Sequence, residues 1–162
     1  MLVADTLPSV EFRVDQVAAP LTWELRQAVL RPHETIEHMA LADDDGPLTG
    51  SFAAVNRDDE IVGTVRVAPG DPPFLAGTYA PASTPTWRLR GMATREDVRH
   101  FGIGSELLAR AVQHVADLGG GLLWCNARVP ATNLYRRAGF VEHGDSWEDP
   151  DIGPHIVMWR LV

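Results

Sequence analysis

The 162-residue chain is acidic, with 22 acidic against 14 basic residues and a formal net charge of −8, and 45% of its residues are hydrophobic. This balance argues against a nucleic-acid-binding protein, which requires a basic face. The charge is compatible with a small cationic substrate, although acidity more often serves only solubility. No uncharged apolar run approaches the ~20 residues of a membrane span, so we expect no membrane association.

Several features bear on the cellular location and organisation of the chain. Cys125 is the single cysteine, which excludes an internal disulfide and favours a reducing compartment. Residues 1–5 carry no charged region followed by an apolar stretch, so we expect no secretion signal and predict a cytoplasmic protein. The length suits one domain over residues 1–162, as a monomer or a homodimer.

The first half of the chain alternates between strand and helix patterns. We predict a strand over residues 10–14, a helix that is capped by Thr22 and ends before Pro32, and a short second helix over residues 33–39. Strands over residues 51–56 and 60–67 form a hairpin, and the segment from residue 69 to 85 is a proline-rich surface loop. Loops of this length are often functional, but a plain surface excursion explains this one equally well.

The second half centres on a strand over residues 87–94 and an amphipathic helix over residues 105–118. Three glycines end that helix, and a buried strand over residues 122–125 follows. A brief helix over residues 131–138 leads to strands over residues 140–142 and 155–161, with an acidic loop over residues 144–154 between them. The order of elements predicts an α/β fold.

The turn between the central strand and the central helix reads Arg99-His100-Phe101-Gly102-Ile103-Gly104. Glycines directly before a helix allow close backbone approach to a ligand, and the free N–H groups and the helix dipole attract anions. The pattern predicts a pyrophosphate site made of backbone amides, with a simple flexible turn as the alternative. A Walker loop is excluded because no lysine follows Gly104, and a dinucleotide fingerprint lacks its third glycine, since Leu107 stands there.

Two motifs resemble those of the GCN5-related N-acetyltransferases, or GNAT superfamily. The Arg-x-x-Gly-x-Gly loop from Arg99 to Gly104 resembles their motif A, and residues 134–140 (LYRRAGF) resemble their motif B. The predicted order of elements also matches this family. The resemblance implies a mixed, mainly antiparallel central sheet of about seven strands with helices on both faces. Residues 30–32, 90–93, 123–128 and 153–155 further resemble the ElaA-like branch, whose substrates are poorly defined.

The resemblance implies acetyl-coenzyme A as co-substrate and no metal. The residues that it assigns to the pantetheine arm are Met92, Ala93 and Thr94. Those that it assigns to the pyrophosphate are Arg99, His100, Phe101, Gly102, Ile103, Gly104 and Ser105. An asparagine is common in the family where this chain has Arg128, and Asn126 or Asn133 is a candidate to replace it. The chain also departs from the family at His100, where glycine is common, and at Glu96, where proline is common.

Tyr135 and His155 are the candidate catalytic residues. In the family the motif B tyrosine often protonates the departing thiolate, which a phenol can do, although packing on the core is the alternative role for Tyr135. Histidine is a residue type that often serves as a general base, which makes His155 a candidate, and it is also explained as an ordinary polar strand end. Weaker candidates for the base are Glu142, Glu148, His33 and Glu34. Cys125 lies in an apolar run, as expected for a buried thiol and not for a nucleophile.

The predicted function is therefore N-acetyltransferase, with direct transfer of an acetyl or short acyl group from coenzyme A to the amine of a small acceptor. Arg31 and Arg90 are candidates to hold a substrate carboxylate, or else they pair with acidic neighbours. The alternative is a catalytically inactive coenzyme A-binding or regulatory module with the same fold. Tyr135 and His155 favour the enzyme.

Overall fold

The computed structural model describes residues 10–162, so the expectation of no secretion signal at residues 1–5 lies outside the described part. The strands of the described part are β1 Phe12–Gln16, β2 Gly50–Asn56, β3 Ile61–Pro69, β4 Thr86–Thr94, β5 Leu122–Arg128, β6 Val141–Asp149 and β7 Gly153–Leu161. The α-helices of the same part are α1 Pro20–Leu30, α2 Ile103–Asp117 and α3 Thr132–Arg137. Within residues 10–162, no helix is both long and apolar enough to cross a membrane.

The strands form one sheet in the order β1-β2-β3-β4-β5-β7-β6. Every neighbouring pair is antiparallel except β4 and β5, which are parallel and connected through α2. A parallel pair needs such a crossover because the chain must return to the same end of the sheet. The expected mixed, mainly antiparallel sheet is confirmed.

The two long helices cover opposite faces of the sheet. On one face, the buried stripe of α2 packs so closely that a Cβ added at Gly63 of β3 would lie 2.7 Å from Ile103 Cγ2. On the other face, a Cβ added at Gly91 of β4 would lie 2.6 Å from Nε of Arg26, which belongs to α1. Side chains of a strand alternate between faces, so β3 and β4 contribute to both layers.

A gap opens between β4 and β5. The two strands pair only from Thr86 to Arg88 of β4, after which β4 continues along β3 while β5 pairs with β7. The register of β3 and β4 shifts near Gly91, which has a left-handed φ of 64°, and such a bulge bends its strand. Because the strands diverge, the edge of β4 that faces β5 has no partner strand beyond Arg88, while its other edge stays paired with β3.

Several predicted boundaries differ from the structure. Helix α1 begins at Pro20, and Thr22 lies inside it as a buried residue whose hydroxyl donates to the Ala19 carbonyl at 2.7 Å. The predicted second helix is only a 3-10 turn, Ile36–Met39. Strand β6 extends to Asp149, so the loop predicted over residues 144–154 is reduced to residues 150–152. Paired edge strands can carry polar residues on both faces, which is why the sequence pattern of β6 resembled a loop.

The proline-rich segment between β3 and β4 is ordered by aromatic packing. Tyr79 stacks on Trp159 of β7 with ring centroids 4.0 Å apart, and its hydroxyl lies 2.6 Å from Nδ1 of His143. Phe74 packs on the same histidine ring at 4.2 Å. The segment thus covers one face of β6 and β7 and does not enter the gap between β4 and β5.

Candidate active site

A groove of about 700 Å³ runs along the amino-terminal end of α2. It is bounded by the end of β4, by the loop before α2 and by the start of α3. Most of the residues predicted to contact the co-substrate line it: Met92, Ala93, Thr94, Arg99, His100, Gly102, Ile103, Gly104 and Ser105. The groove also contains Arg137, which the sequence interpretation missed although it lies two residues after Tyr135 in motif B.

The backbone at the start of α2 is suited to an anion. Gly102 is the N-cap residue with φ 85°, and the first bond of the helix runs from the Glu106 N–H to the Gly102 carbonyl at 3.1 Å. The N–H groups of residues 103–105 precede that bond and point out of the open helix end. A Cβ added at Gly102 would meet no atom within 4 Å, so there is room for a ligand beside this backbone.

His100 occupies a left-handed conformation with φ 70°. Glycine adopts this region freely, whereas among other residues histidine is one of the few that are enriched there. The loop therefore keeps the backbone path that a glycine would take. The side chain at this position differs from the glycine that is common in the family, but the backbone conformation is one that glycine also adopts.

Three of the predicted contact residues lie elsewhere. Phe101 is exposed and does not line the groove. Asn133 accepts a hydrogen bond from Arg136 at 3.1 Å on the exposed side of α3. Asn126 lies on β5 and lines a second cavity and not the groove.

This second, inner cavity has a volume of about 230 Å³ and lies in the gap between β4 and β5. Tyr135 and His155, the two predicted catalytic residues, both line it. The inner cavity and the groove are lined in common by Leu30, Met92, Arg128, Ala131 and Ile152. The two spaces are therefore contiguous, and they meet beside Met92, just after the bulge in β4.

Tyr135 is 5% exposed and packs edge-to-face on Phe140, with ring centroids 5.5 Å apart. Burial raises its pKa well above the usual value for a phenol, and the neighbouring Cys125 adds to the effect. The hydroxyl therefore keeps its proton at neutral pH and is available only as a donor or as a neutral acceptor. Burial also raises the pKa of the Cys125 thiol, which agrees with the prediction of a buried, unreactive cysteine.

His155 is the third residue of β7, opposite Arg128 of β5, and it is 5% exposed. Its Nδ1 lies 2.7 Å from the Gly153 carbonyl oxygen. Because a carbonyl oxygen only accepts, Nδ1 must carry the proton, and in the neutral ring Nε2 is left with the lone pair. Trp147 stacks on the imidazole with centroids 5.7 Å apart, which fixes the orientation of the ring.

The other candidate bases are less well placed. Glu142 pairs with Arg136, and Glu34 pairs with Arg31 at 3.0 Å. Glu148 is exposed on β6, and the imidazole of His33 lies beside Glu34. None of these four residues lines the inner cavity, whereas His155 does. For metals, no group of three or more histidine, cysteine or acidic side chains in the described part of the chain could hold an ion.

The mixed sheet that splits between β4 and β5, with a glycine loop before α2, is the arrangement expected of a GNAT acyltransferase. The model of the acetyltransferase (GNAT) family matches residues 18–140. The chain is 34% identical over 150 residues to the uncharacterized N-acetyltransferase YitI of Bacillus subtilis (strain 168), covering 92% of this chain and 95% of that one. The protein therefore belongs to the GNAT family and is an acetyltransferase, and the alternative of an inactive module is not favoured.

Solved structures share the fold. Escherichia coli ElaA matches with a TM-score of 0.64 and 16% identity, covering 93% of this chain and 99% of that one. A GNAT superfamily phosphinothricin acetyltransferase (Pat) from Sinorhizobium meliloti, solved in complex with AcCoA, matches with a TM-score of 0.69 and 19% identity, covering 93% of this chain and 88% of that one. At these identities the likeness concerns the fold.

Proposed function

We propose that the protein transfers the acetyl group of acetyl-coenzyme A directly to the amine of a small acceptor. The observation that supports this proposal is the junction of the two spaces beside Met92, with the open helix end of α2 on one side and Tyr135 and His155 on the other. Acetyl-coenzyme A supplies an acyl carbon that is activated as a thioester. Direct transfer requires the two substrates to meet at one point, and contiguous spaces provide that meeting point.

Residues of the groove would hold the co-substrate. The N–H groups of residues 103–105 suit the pyrophosphate, and Arg99 and Arg137 add positive charge on the same groove. The free edge of β4 at Met92, Ala93 and Thr94 offers backbone donors and acceptors to the amide groups of a pantetheine arm. These roles fit a groove that is open at Gly102.

Residues of the inner cavity would move the protons. An alkylammonium cannot act as a nucleophile until it loses a proton, and His155 Nε2 is the acceptor that we assign to this step. The leaving thiolate needs a proton, and the Tyr135 hydroxyl, which stays protonated at neutral pH, is the donor that we assign to it. We also propose a cytoplasmic location, supported by the free thiol of Cys125.

The function is tested by release of coenzyme A from acetyl-coenzyme A in the presence of a panel of amines. Tyr135→Phe keeps the ring and its packing on Phe140 and deletes only the donor. With an acceptor that is turned over, we expect kcat to fall by roughly 10²–10⁴-fold, the usual contribution of a positioned general acid. The dissociation constant of acetyl-coenzyme A, measured by calorimetry, should change little.

Two outcomes would contradict the proposal. A fully active Tyr135→Phe variant would remove this residue from the mechanism, provided that chemistry limits the rate in the wild type. A wild-type protein that binds acetyl-coenzyme A and acetylates no amine of a broad panel would instead support the inactive module.

A further inference from the structure

Three arginines of the inner cavity have no acidic partner in the described part of the chain. They are Arg26 of α1 and Arg88 and Arg90 of β4, and none forms an ion pair with residues 10–162. Arg26 is only 6% exposed, and its Nε and Nη1 are buried with no hydrogen-bond partner among these residues. The same holds for Nε of Arg88. Buried guanidinium groups without acceptors are costly to the folded state.

The local geometry holds these side chains together. Arg88 and Arg90 alternate along β4 with Trp87 and Leu89, which are buried in the core, so both arginines lie on the opposite face of the sheet. The Arg88 guanidinium lies over the Trp124 ring, 4.8 Å from its centroid. Arg26 reaches the same face from α1 and passes directly over Gly91, the residue after Arg90.

The electrostatic cost of this arrangement is visible in the pKa values. Burial lowers the pKa of Arg26 and of Arg88. Burial, together with repulsion from Arg88 and Arg26, lowers the pKa of Arg90 to about 10. Asp44 attracts Arg26, but its carboxylate is already bonded to Arg66 Nε at 2.7 Å.

Arg66 is a buried arginine of the same chain whose charge is compensated within the protein. Arg66 is 3% exposed, and it pairs with both Asp43 and Asp44. The contrast with Arg26, Arg88 and Arg90 indicates that the missing partner of those three is a ligand. That ligand is not the co-substrate, because the groove has its own arginines, Arg99 and Arg137. None of Arg26, Arg88 and Arg90 lines the groove.

We propose that the acceptor is an amino acid-like molecule, an amine that also carries a carboxylate or phosphate group bound by Arg26, Arg88 and Arg90. The amine part rests on the proposed function. Guanidinium groups bind both oxyanions through paired hydrogen bonds. Their positive charge also disfavours the ammonium form of the acceptor, which helps His155 to remove a proton. The overall acidity of the chain is compatible with a cationic substrate, whereas the three arginines give the inner cavity a positive charge.

The first test measures oxyanion binding without turnover. Saturating coenzyme A is present to fill the groove, so that the open end of α2 is not available to the probe. Under these conditions succinate and inorganic phosphate, at constant ionic strength against chloride, should raise the melting temperature of the wild-type protein. Arg90→Gln should abolish at least one of these shifts, since the residue is only partly buried and its loss removes one guanidinium. The matched control is Arg57→Gln, which removes the same charge from an exposed turn far from the cavity. If Arg90→Gln does not fold, Arg88→Gln takes its place.

The second test compares amines that differ only in the anionic group. The pairs are β-alanine with propylamine and phosphoethanolamine with ethanolamine, which separate a carboxylate from a phosphate. We expect kcat/KM to be higher for the acid of at least one pair, and Arg90→Gln to lower it by about 10- to 100-fold for that acid, the usual effect of losing a hydrogen bond to a charged group. Propylamine and ethanolamine, which lack the anionic group, should lose less than the acids, because for them Arg90→Gln removes only the charge that disfavours the ammonium form.

The outcomes separate this inference from the proposed function. Acetylation of amines without preference for acids overturns the inference and leaves the proposed function intact. Oxyanion binding that requires Arg90, in a protein that acetylates no member of the panel, supports the inference and counts against the proposed function. Oxyanion shifts that survive Arg90→Gln and Arg88→Gln overturn the inference.

Discussion

Tyr135 and Cys125 lie side by side on the wall of the inner cavity, and burial raises the pKa of each. The ordinary pKa values of the two groups are 10.0 and 9.0. Above those values an unfolded chain loses both protons, whereas the folded protein keeps them. The folded state then binds more protons than the unfolded state, so the free energy of unfolding must fall as the pH rises.

We therefore predict that Tyr135→Phe reduces the alkaline loss of stability. Above pH 10 the buried tyrosine contributes a limiting slope of about 1.4 kcal/mol per pH unit to the fall in the free energy of unfolding. The phenylalanine variant should lack this component, and Cys125→Ala should lack the corresponding component that begins near pH 9. Urea unfolding from pH 8 to 11, followed by tryptophan fluorescence, measures both slopes.

The difference in slope between the wild type and Tyr135→Phe excludes the contributions of other titrating groups, which are the same in both proteins. Arg90, with its pKa lowered to about 10, contributes a rise in the free energy of unfolding above pH 10. The reason is that Arg90 loses its proton at a lower pH in the folded state than in the unfolded state. The chain contains no lysine, so no lysine titration overlaps this range. Parallel stability curves for the wild type and Tyr135→Phe would show that the phenol is not buried as the structure describes.

At the scale of elements, the role of the loop before α2 can be tested by comparing the two ends of the helix. The glycine before α2 is the site position and the glycine after α2 is the control. Gly102 before the helix and Gly119 after it both have a positive φ, and a Cβ added at either position would meet no atom within 4 Å. Alanine at either position should therefore reduce stability through backbone strain alone, by about 1–2 kcal/mol. Only Gly102→Ala should also weaken acetyl-coenzyme A binding, because its Cβ would occupy the space that we propose for the pyrophosphate. Calorimetry with acetyl-coenzyme A distinguishes the two effects.

Equal cofactor affinity of Gly102→Ala, Gly119→Ala and the wild type would mean that the loop before α2 is only a turn. If both variants bound acetyl-coenzyme A more weakly than the wild type and to the same degree, the cause would be a general loss of the folded state. The stability of each variant is measured in the same buffer, so that affinity is compared between proteins that are folded to the same extent.

The elements that sequence predicted well are those whose face is set by apolar periodicity. The apolar stripe of α2 is buried at Ile103, Leu107, Leu108, Ala111 and Val115, as its periodicity predicts, because burial of apolar surface dominates its packing. Helix α1 departs from this rule, since its buried residues are Thr22 and Arg26. A polar helix face is normally exposed, so the periodicity of α1 predicts that this face lies in solvent. The burial of Arg26 beside the inner cavity could therefore not be predicted from the sequence.

At the site, local sequence motifs predicted the backbone conformation of the loop. Which side chains come together there depends on pairing between strands that are distant in sequence. The loop at Gly102 could be predicted from motif A because the backbone conformation of that loop depends only on residues that are close in sequence. The association of Tyr135 with His155 depends on β5 pairing with β7 and on α3 following β5, which no local pattern contains. Asn133 failed to reach the groove because it bonds to Arg136 on the outer side of α3.

At the scale of the whole molecule, the sheet consists of two parts, β1–β4 and β5–β7, which share only three residue pairs between β4 and β5. The groove takes its walls from both parts, with β4 and the α2 loop on one side and residues 128–137 and 152–154 on the other. A ligand in the groove therefore contacts both parts at once. Binding to the folded state alone raises stability by mass action.

We predict a large thermal shift with acetyl-coenzyme A. At a concentration 100 times the dissociation constant, linkage gives about 2.7 kcal/mol. For a chain of this size that corresponds to a rise in melting temperature of roughly 5–10 °C. ATP and NAD are the controls, since the loop lacks the Walker lysine and the third glycine of a dinucleotide site. A melt that acetyl-coenzyme A leaves unchanged and that ATP or NAD shifts would contradict the proposed co-substrate.

The cations around the inner cavity are all arginines, and the choice of arginine has a chemical consequence for an enzyme that handles a reactive acyl group. A lysine beside an activated thioester is itself a primary amine that can become acetylated, which would consume the co-substrate and neutralise the charge. A guanidinium remains protonated at neutral pH, even at Arg90, and offers no such competing nucleophile. The inner cavity can thus hold several positive charges next to the acyl donor while the only amine within it is that of the incoming acceptor.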